Sequence, residues 1–351
     1  MNKHTSLYDF GYNFLGPICS EYFRALIQRC EDVDPDRLLF LAREGYFFER
    51  AYKMLVKKGF VAEIPSTYLY VSRTFLFRIC IGDKSSWLSS LSHSFYGSLQ
   101  KLLVGRFGFS VSQVKKVFTE SELQTLWLLP FEEQQLEILF NTHIDKLNDA
   151  VKATRMAYFD YLRSEDIHLS EKPLMVDVGY AGTIQKLLTG LLQTDTEGLY
   201  FIATREGSYS VNGCVAQMKS VFKEGVKMGE GYTMLDRSLF LESLLTAPNG
   251  QFIDIAKKSE YSEQSFEFFF GRNTYTQRNF HELNTVFKGA EDAISDNFQN
   301  NVHYSTEEIE VMYDQYAHTR NMFPRASWPL FDVDDAISGN ANVDPLKLFR
   351  L

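Results

Sequence analysis

The segment VDVGYAGTIQ, residues 176–185, has the residue types of a turn that could hold an anion. Asp177, Gly179, Gly182 and Thr183 lie between an apolar run and the helical pattern TIQKLLTGLL. Glycines here permit positive φ and close approach of a ligand, and the first N–H groups of the helix favour negative charge. The spacing matches neither a Walker loop nor a dinucleotide turn. The segment therefore predicts either a phosphate site or a plain strand-to-helix turn in which Thr183 is the N-cap.

Charged and polar residues also end three other short apolar runs. They are Arg43 and Glu44 after LLFLA (38–42), Ser72 and Arg73 after TYLYV (67–71), and Thr204 and Arg205 after LYFIA (199–203). Ligands of open α/β sheets bind outside the carboxyl ends of the strands, and arginine suits phosphate oxygens. Any one of these strand ends could simply mark where a buried strand reaches water. The four ends together favour a binding site.

Glu242 is an acid in the otherwise apolar run FLESLLTAPNG. A buried carboxylate is costly without a partner, which indicates a function, whereas an amphipathic helix would place it in solvent. Both interpretations stay open. The seven histidines and four cysteines are scattered and show no zinc-site spacing, and no G-x-S-x-G nucleophile motif occurs.

The surrounding pattern predicts an α/β fold. The three runs above and LMVDV (174–178), in which Asp177 is the one charged residue, are short and apolar. Two of the four are plainly followed by helices, which is typical of strands buried on both faces of a sheet. We therefore expect a short, mostly parallel central sheet flanked by helices. The pattern further predicts a large helical insertion at about 75–166 and a helical C-terminal region at about 255–351, including a helix at SFEFFFGRN. Without repeats or linkers, we expect a single domain over 1–351.

Composition excludes some classes of protein. The 351 residues are 45% hydrophobic and 23% charged, which indicates a globular chain, and the net charge of -9 argues against a nucleic-acid binder that neutralises phosphates. No apolar stretch has the length of a signal peptide or of a membrane span. We expect a cytoplasmic protein whose contact with the inner membrane, if it has one, is peripheral.

Four motifs in order, DFGYNFLGP, LFLAREGYFFERAY, YLYVSR and VDVGYAGTIQ, resemble the glycan phosphoribosyltransferase domain of bacterial ribofuranosyltransferases. This domain occurs in polysaccharide gene clusters and is often fused to a haloacid-dehalogenase-type phosphatase. The resemblance extends from about Tyr8 to Asn249. It implies transfer of 5-phosphoribofuranosyl from phosphoribosyl pyrophosphate (PRPP) to a glycan acceptor, expected to be lipid-linked, of O-antigen or capsule. A separate phosphatase would remove the 5-phosphate, because no Asp-x-Asp pair opens this chain.

The chemistry that the resemblance implies assigns roles to the motif residues. Asp177, Glu44 and Glu242 are the candidate catalytic acids, and Asp177 and Glu44 are also candidate ligands of Mg²⁺, which usually accompanies a polyanionic donor. The candidate donor-phosphate ligands are Arg43, Arg73, Gly179, Tyr180, Ala181, Gly182, Thr183 and Gln185. The family has Arg-Asp-Gly where this chain has Arg43-Glu44-Gly45. The alternatives are a non-catalytic glycan-assembly module and a glycosyltransferase with a sugar-nucleotide donor.

Overall fold

The computed structural model describes residues 2–168, 171–205, 207–258, 265–334 and 342–351. One six-stranded sheet forms its centre. The strands of this sheet are β1 (Arg37–Leu41), β2 (Ser66–Leu69), β5 (Pro173–Val176), β6 (Thr196–Ala203), β7 (Gly207–Val211) and β8 (Cys214–Glu224). Three two-stranded sheets lie elsewhere. They pair β3 (Phe95–Ser98) with β4 (Leu126–Leu129), β9 (Phe252–Lys257) with β10 (Phe266–Phe270), and β11 (Val333–Asp334) with β12 (Asn342–Val343).

Helices make up most of the remaining described structure. Before β5 they are α1 (Lys3–Phe10), α2 (Gly16–Val33), α3 (Gly45–Lys57), α4 (Arg73–Ile79), α5 (Lys84–Leu91), α6 (Leu99–Gly105), α7 (Val111–Val117), α8 (Glu120–Gln124), α9 (Glu133–Thr142) and α10 (Ile144–Ser164). After β5 they are α11 (Thr183–Leu192), α12 (Thr233–Asp236), α13 (Leu239–Leu244), α14 (Tyr275–Arg278), α15 (Phe280–Gln299), α16 (Thr306–His318) and α17 (Pro345–Phe349). A π-helical turn (Gly11–Leu15) joins α1 to α2, and a 3₁₀ helix spans Arg325–Leu330.

The four strands predicted from apolar runs are confirmed, and they are consecutive neighbours. The strand order is β2-β1-β5-β6-β8-β7, and every pair from β2 to β8 is parallel. Only β7, at the edge, runs antiparallel to its neighbour β8. The predicted short, mostly parallel sheet flanked by helices is therefore present, together with the helical insertion and the helical C-terminal region.

Each face of the sheet is covered by its own apolar layer, because alternate strand residues point to opposite sides. Leu38 and Phe40 pack with α2, α3 and α15 on one face. Leu39 and Leu41 pack with α4, α10 and α11 on the other. Burial on both faces explains why these strands read as continuous apolar runs.

The prediction of a helix at SFEFFFGRN is wrong, since this segment contains strand β10. Phe266, Phe268 and Phe270 alternate with more exposed positions and pack against the layer that holds α10. No helix within the described parts of the chain is both long and apolar enough to cross a bilayer.

Candidate functional site

The sheet changes its winding direction between β1 and β5. The chain leaves β1 through α3 on one face to reach β2, and leaves β5 through α11 on the opposite face to reach β6. The place beyond the carboxyl ends of two strands whose connections diverge in this way is the usual ligand position in open α/β sheets. Arg43, Glu44 and Asp177 occupy these two strand ends.

The loop after β1 holds Glu44 at the end of this strand. One Glu44 carboxylate oxygen accepts a hydrogen bond from the backbone N–H of Arg43 at 2.9 Å, and both residues are half-buried. Gly45 then starts α3 against β1, where a Cβ would lie 2.5 Å from the Phe40 carbonyl carbon. Glycine is therefore required for α3 to begin this close to the strand.

Asp177 ends β5 in a buried position, with 8% of its surface exposed. Its carboxylate accepts a hydrogen bond from the Val178 N–H at 2.8 Å, and the Tyr22 hydroxyl donates to its backbone carbonyl at 3.3 Å. Burial raises the pKa of Asp177 well above its ordinary value, and the charges of Glu44 and Glu242 add to this effect. The Val178 N–H opposes the rise only partly.

Glu242 reaches the same place from α13. Its pKa is raised first by burial and then by the charge of Glu44, while Tyr180, Arg43 and Ser238 lower it. We call Glu44, Asp177 and Glu242 the acid cluster. Burial and the neighbouring charge of Glu44 thus both disfavour the ionised forms of Asp177 and Glu242. Such a cluster can accept a proton or face a developing cation.

The Tyr180 hydroxyl is buried next to the acid cluster. Glu242 and Ser238 are near enough to shift its pKa, which burial raises well above the ordinary value. Judged by distance and angle, however, this hydroxyl has no hydrogen-bond partner among the described residues. The peptide bonds Ala42–Arg43 and Gly179–Tyr180, one in each loop that borders the cluster, are cis.

The glycine turn leads from the acid cluster to α11. Gly179 and Gly182 have φ of 133° and 62°, and a Cβ on either would collide with the Ile202 carbonyl oxygen or the Met218 side chain. Close packing on β6 and β8 thus requires both glycines even without a ligand. Gly182 is the N-cap of α11 and supplies no side-chain hydrogen bond, so Thr183 begins the helix and is not its cap.

Ala181 and Thr183 line a large cleft beside the sheet, with a volume of about 1710 Å³. We call it the basic cleft, because its described lining residues include six Lys and Arg side chains and one acid, Asp83. The cations are Arg73, Lys101, Arg106, Arg155, Lys186 and Arg205. A concave surface with this excess of positive charge attracts anions.

Two pairs of like charges lie in the basic cleft. Burial lowers the pKa of Lys186 to about 8, with a further contribution from the charge of Arg205, and its amino group stands 3.7 Å from the Tyr209 ring centroid. The pKa of Arg106 is also lowered, first by burial and then by Arg73. Like charges held together in this way favour an anion between them.

The structure divides the predicted site residues into two groups. Arg43, Glu44, Asp177, Tyr180 and Glu242 meet at the acid cluster. Of the other predicted residues, Arg73, Ala181 and Thr183 line the basic cleft. Gly179 and Gly182 lie in the turn that connects the acid cluster to the basic cleft. Arg43 thus faces Glu242, whereas Arg73 faces Arg106.

The position of Gln185 contradicts its predicted role as a phosphate ligand. Its side chain is fully buried, its amide N–H groups donate to Thr196 and to the Gln217 carbonyl, and its carbonyl oxygen accepts from the Tyr200 hydroxyl at 2.6 Å. Because the amide already has partners at both ends, it ties α11 to the sheet and cannot reach the turn.

Lys186, Lys101, Arg106 and Arg155 were absent from the predicted site. Lys186 carries a weak sequence signal, since it follows Thr183 by three residues and falls in the first turn of α11. The other three belong to the helical insertion, and no motif marks their convergence.

The acid cluster meets part of what Mg²⁺ requires. Among the residues that the structure describes, no group of three His, Cys, Asp or Glu side chains is arranged to hold a metal ion. Mg²⁺ is often bound by one or two carboxylates together with substrate phosphates and water. Asp177 and Glu44, whose charge raises the pKa of Asp177, fit such a two-carboxylate site, with the remaining ligands supplied by a donor.

No protein-family model matches the chain, and a search of curated proteins finds no significant match. The family resemblance therefore depends on the four sequence motifs alone.

Proposed function

We propose that the protein transfers 5-phosphoribofuranosyl from PRPP to a hydroxyl group of a glycan acceptor. The observation that carries this proposal is the basic cleft, which ends at the same glycine turn as the acid cluster. A donor with a phosphate and a diphosphate needs concentrated positive charge. Its reacting sugar carbon needs a carboxylate close by. The turn from Asp177 to Thr183 has a buried carboxyl at one end and residues that line the basic cleft at the other.

The leaving diphosphate gains negative charge when the bond from C1 to oxygen breaks. Cations that are fixed before the reaction stabilise such a charge without reorganisation. Arg73, Lys186 and Arg205 line the basic cleft and are suited to this task. The N–H groups that open α11 add a weaker attraction for a phosphate, of about 0.3–1 kcal/mol.

The acid cluster accounts for the other half of the reaction. The ribose ring becomes positive as the bond breaks, and the acceptor hydroxyl loses a proton. The raised pKa values of Asp177 and Glu242 bring these carboxyls towards the range in which a general base works near neutral pH. An ionised member of the cluster, Glu44 included, would also face the cationic ring. Mg²⁺ bound by Asp177 and Glu44 would neutralise charge on the diphosphate.

The acceptor class and the cellular setting of this proposal come from the sequence motifs. By that resemblance, the reaction would belong to O-antigen or capsule synthesis, with a lipid-linked acceptor and a separate phosphatase for the 5-phosphate. The protein would then work in the cytoplasm, in peripheral contact with the inner membrane where such acceptors are held.

The proposal is tested by incubating the protein with radiolabelled PRPP, Mg²⁺ and glycans from its own gene cluster, and measuring labelled glycan and released diphosphate. We expect acceptor-dependent release that Arg205→Glu reduces by at least about tenfold, because the charge that faces the diphosphate is reversed. Lys116→Glu on α7, an exposed lysine outside the basic cleft, is the matched control and should react like the wild type.

Other results would point to the alternatives. Binding of a uridine or guanosine diphosphate sugar instead of PRPP would support a glycosyltransferase with a sugar-nucleotide donor. Glycan binding without affinity for any phosphorylated donor would support a non-catalytic glycan-assembly module.

A further inference from the structure

The basic cleft is larger than one small ligand needs. Ligand pockets usually have volumes of about 300–1,000 Å³, whereas this cleft measures about 1710 Å³. The proposed donor site uses the sheet side of the cleft, where Ala181, Thr183, Lys186 and Arg205 lie. The opposite wall, which we call the insertion side, is built by lining residues from Phe77 to Phe159. Space and charge therefore remain for a second ligand.

The insertion side carries two arginines whose guanidinium groups are oriented by hydrogen bonds to uncharged groups. The Arg106 guanidinium donates to the carbonyl oxygens of Ser90 and Ser94 at 2.7 and 3.0 Å. Arg155 donates to the Ile79 carbonyl oxygen at 2.5 Å and to the Asn148 side chain at 3.0 Å. Carbonyl and amide oxygens orient these guanidinium groups without cancelling their charge.

Aromatic rings line the same wall. Tyr96 is 72% exposed although it is a large aromatic residue, and Phe95 lies under the Arg106 guanidinium at 5.5 Å. Exposed aromatic faces pack against the C–H faces of sugar rings, while adjacent cations bind acidic substituents. Lys101, which is exposed and also lines the cleft, supplies a further charge at this wall.

We propose that the insertion side of the basic cleft binds an acidic sugar of the acceptor, with its carboxylate or phosphate facing Lys101 and Arg106 and its ring against Tyr96. This inference rests on the proposed function, because it assigns the second ligand of the cleft to the acceptor. It adds to that function the chemical class of the acceptor, which is an anionic and not a neutral glycan.

The test compares three sugars by saturation-transfer NMR on the full chain, with and without Mg²⁺ and PRPP. Glucose 6-phosphate carries a phosphate, glucuronate carries a carboxylate, and glucose is neutral. We expect at least one acidic sugar to bind about fivefold or more tightly than glucose, because each added ion pair in a partly buried site is favourable. Which acidic sugar binds better tells whether the wall prefers phosphate or carboxylate.

Two variants separate charge from stacking. Lys101→Glu should weaken the acidic sugars by about tenfold and leave glucose unchanged, whereas Tyr96→Ala should weaken all three sugars. The matched controls are Lys116→Glu and Phe131→Ala, an exposed lysine and an 81% exposed aromatic residue outside the cleft lining, and both should behave like the wild type.

Equal binding of glucose and the acidic sugars would overturn the inference, as would equal behaviour of Lys101→Glu and Lys116→Glu. Calorimetry with PRPP on the same samples keeps the two proposals apart. PRPP binding without preference for acidic sugars leaves the proposed function intact and removes this inference. Selective binding of acidic sugars without PRPP binding supports the second site and removes the proposed donor.

Discussion

Lys186 should make donor binding dependent on pH. Its amino group lies in the basic cleft beside Arg205 and against the Tyr209 ring, and its pKa is lowered to about 8, first by burial and then by the charge of Arg205. A phosphate bound beside this amine would restore the charged form. The complex should then hold a proton that the free protein loses above about pH 8.

The size of the effect follows from proton linkage. If the bound phosphate returns the pKa of Lys186 to its ordinary value of 10.5, the free protein keeps roughly one tenth of this proton at pH 9, while the complex keeps nearly all of it. Affinity for PRPP should therefore fall by about tenfold between pH 7 and pH 9, with uptake of about 0.9 proton on binding at pH 9. The donor phosphates, whose second pKa is about 6, are ionised throughout this range.

Calorimetric titration in buffers of different ionisation enthalpy measures both quantities. Lys186→Arg keeps its charge at pH 9 and should give a nearly flat profile, whereas Lys186→Met should bind weakly at both pH values. An affinity for PRPP that is unchanged between pH 7 and pH 9 in the wild type, with no proton uptake, would refute the placement of a donor phosphate at Lys186.

Three further predictions concern the turn and the acid cluster. Gly182→Ala should lower the free energy of unfolding, measured with urea, by about 2 kcal/mol, because Gly182 has a positive φ and the added Cβ would collide with the Met218 side chain. The loss should be smaller in a Met218→Ala background. An equal loss in both backgrounds would contradict this. Gln185→Leu should lower the free energy of unfolding by about 2–4 kcal/mol, since it leaves the buried partners of the amide without hydrogen bonds. The Kd of PRPP for the folded protein should not change. A large loss of donor affinity would show that Gln185 belongs to the donor site. Asp177→Asn should lower turnover by about 100-fold or more in the glycan assay. Because the pKa of Asp177 is raised in the folded wild type, its ionisation lowers stability as the pH rises above the ordinary pKa of an aspartate. The variant should therefore be at least as stable as the wild type at pH 7 and should lose this pH dependence of Tm. An Asp177→Asn variant that stays active and is less stable than the wild type would contradict both the catalytic role and the raised pKa.

The central strands could be predicted from sequence because burial on both faces leaves them no polar positions. The run LLFLA contains most of β1, and LYFIA contains the second half of β6. Edge strand β7 could not be recognised in this way, because GSYSV alternates between exposed and half-buried positions. In β10 the alternation of phenylalanines was visible in the sequence, and the helical interpretation overlooked its period of two.

The acid cluster was accessible to sequence reasoning for a related reason. Glu44 and Asp177 directly follow strands, so the parallel sheet necessarily brings them to one edge. The insertion side of the cleft was not accessible, since Arg106 and Arg155 are far apart in the chain and meet only through helix packing. For Gln185 the sequence wrongly predicted a site residue. It lies next to the motif in sequence, but the turn of the helix points it into the core.

The account depends on the basic cleft binding a phosphorylated donor at the glycine turn. Calorimetric titration of PRPP with Mg²⁺ into the wild type, Arg73→Glu and Lys116→Glu tests this most directly. We predict saturable binding to the wild type, a loss of about tenfold or more in Arg73→Glu, and no change in Lys116→Glu. Absence of PRPP binding to the folded wild-type protein, or equal affinity in all three proteins, would contradict the account.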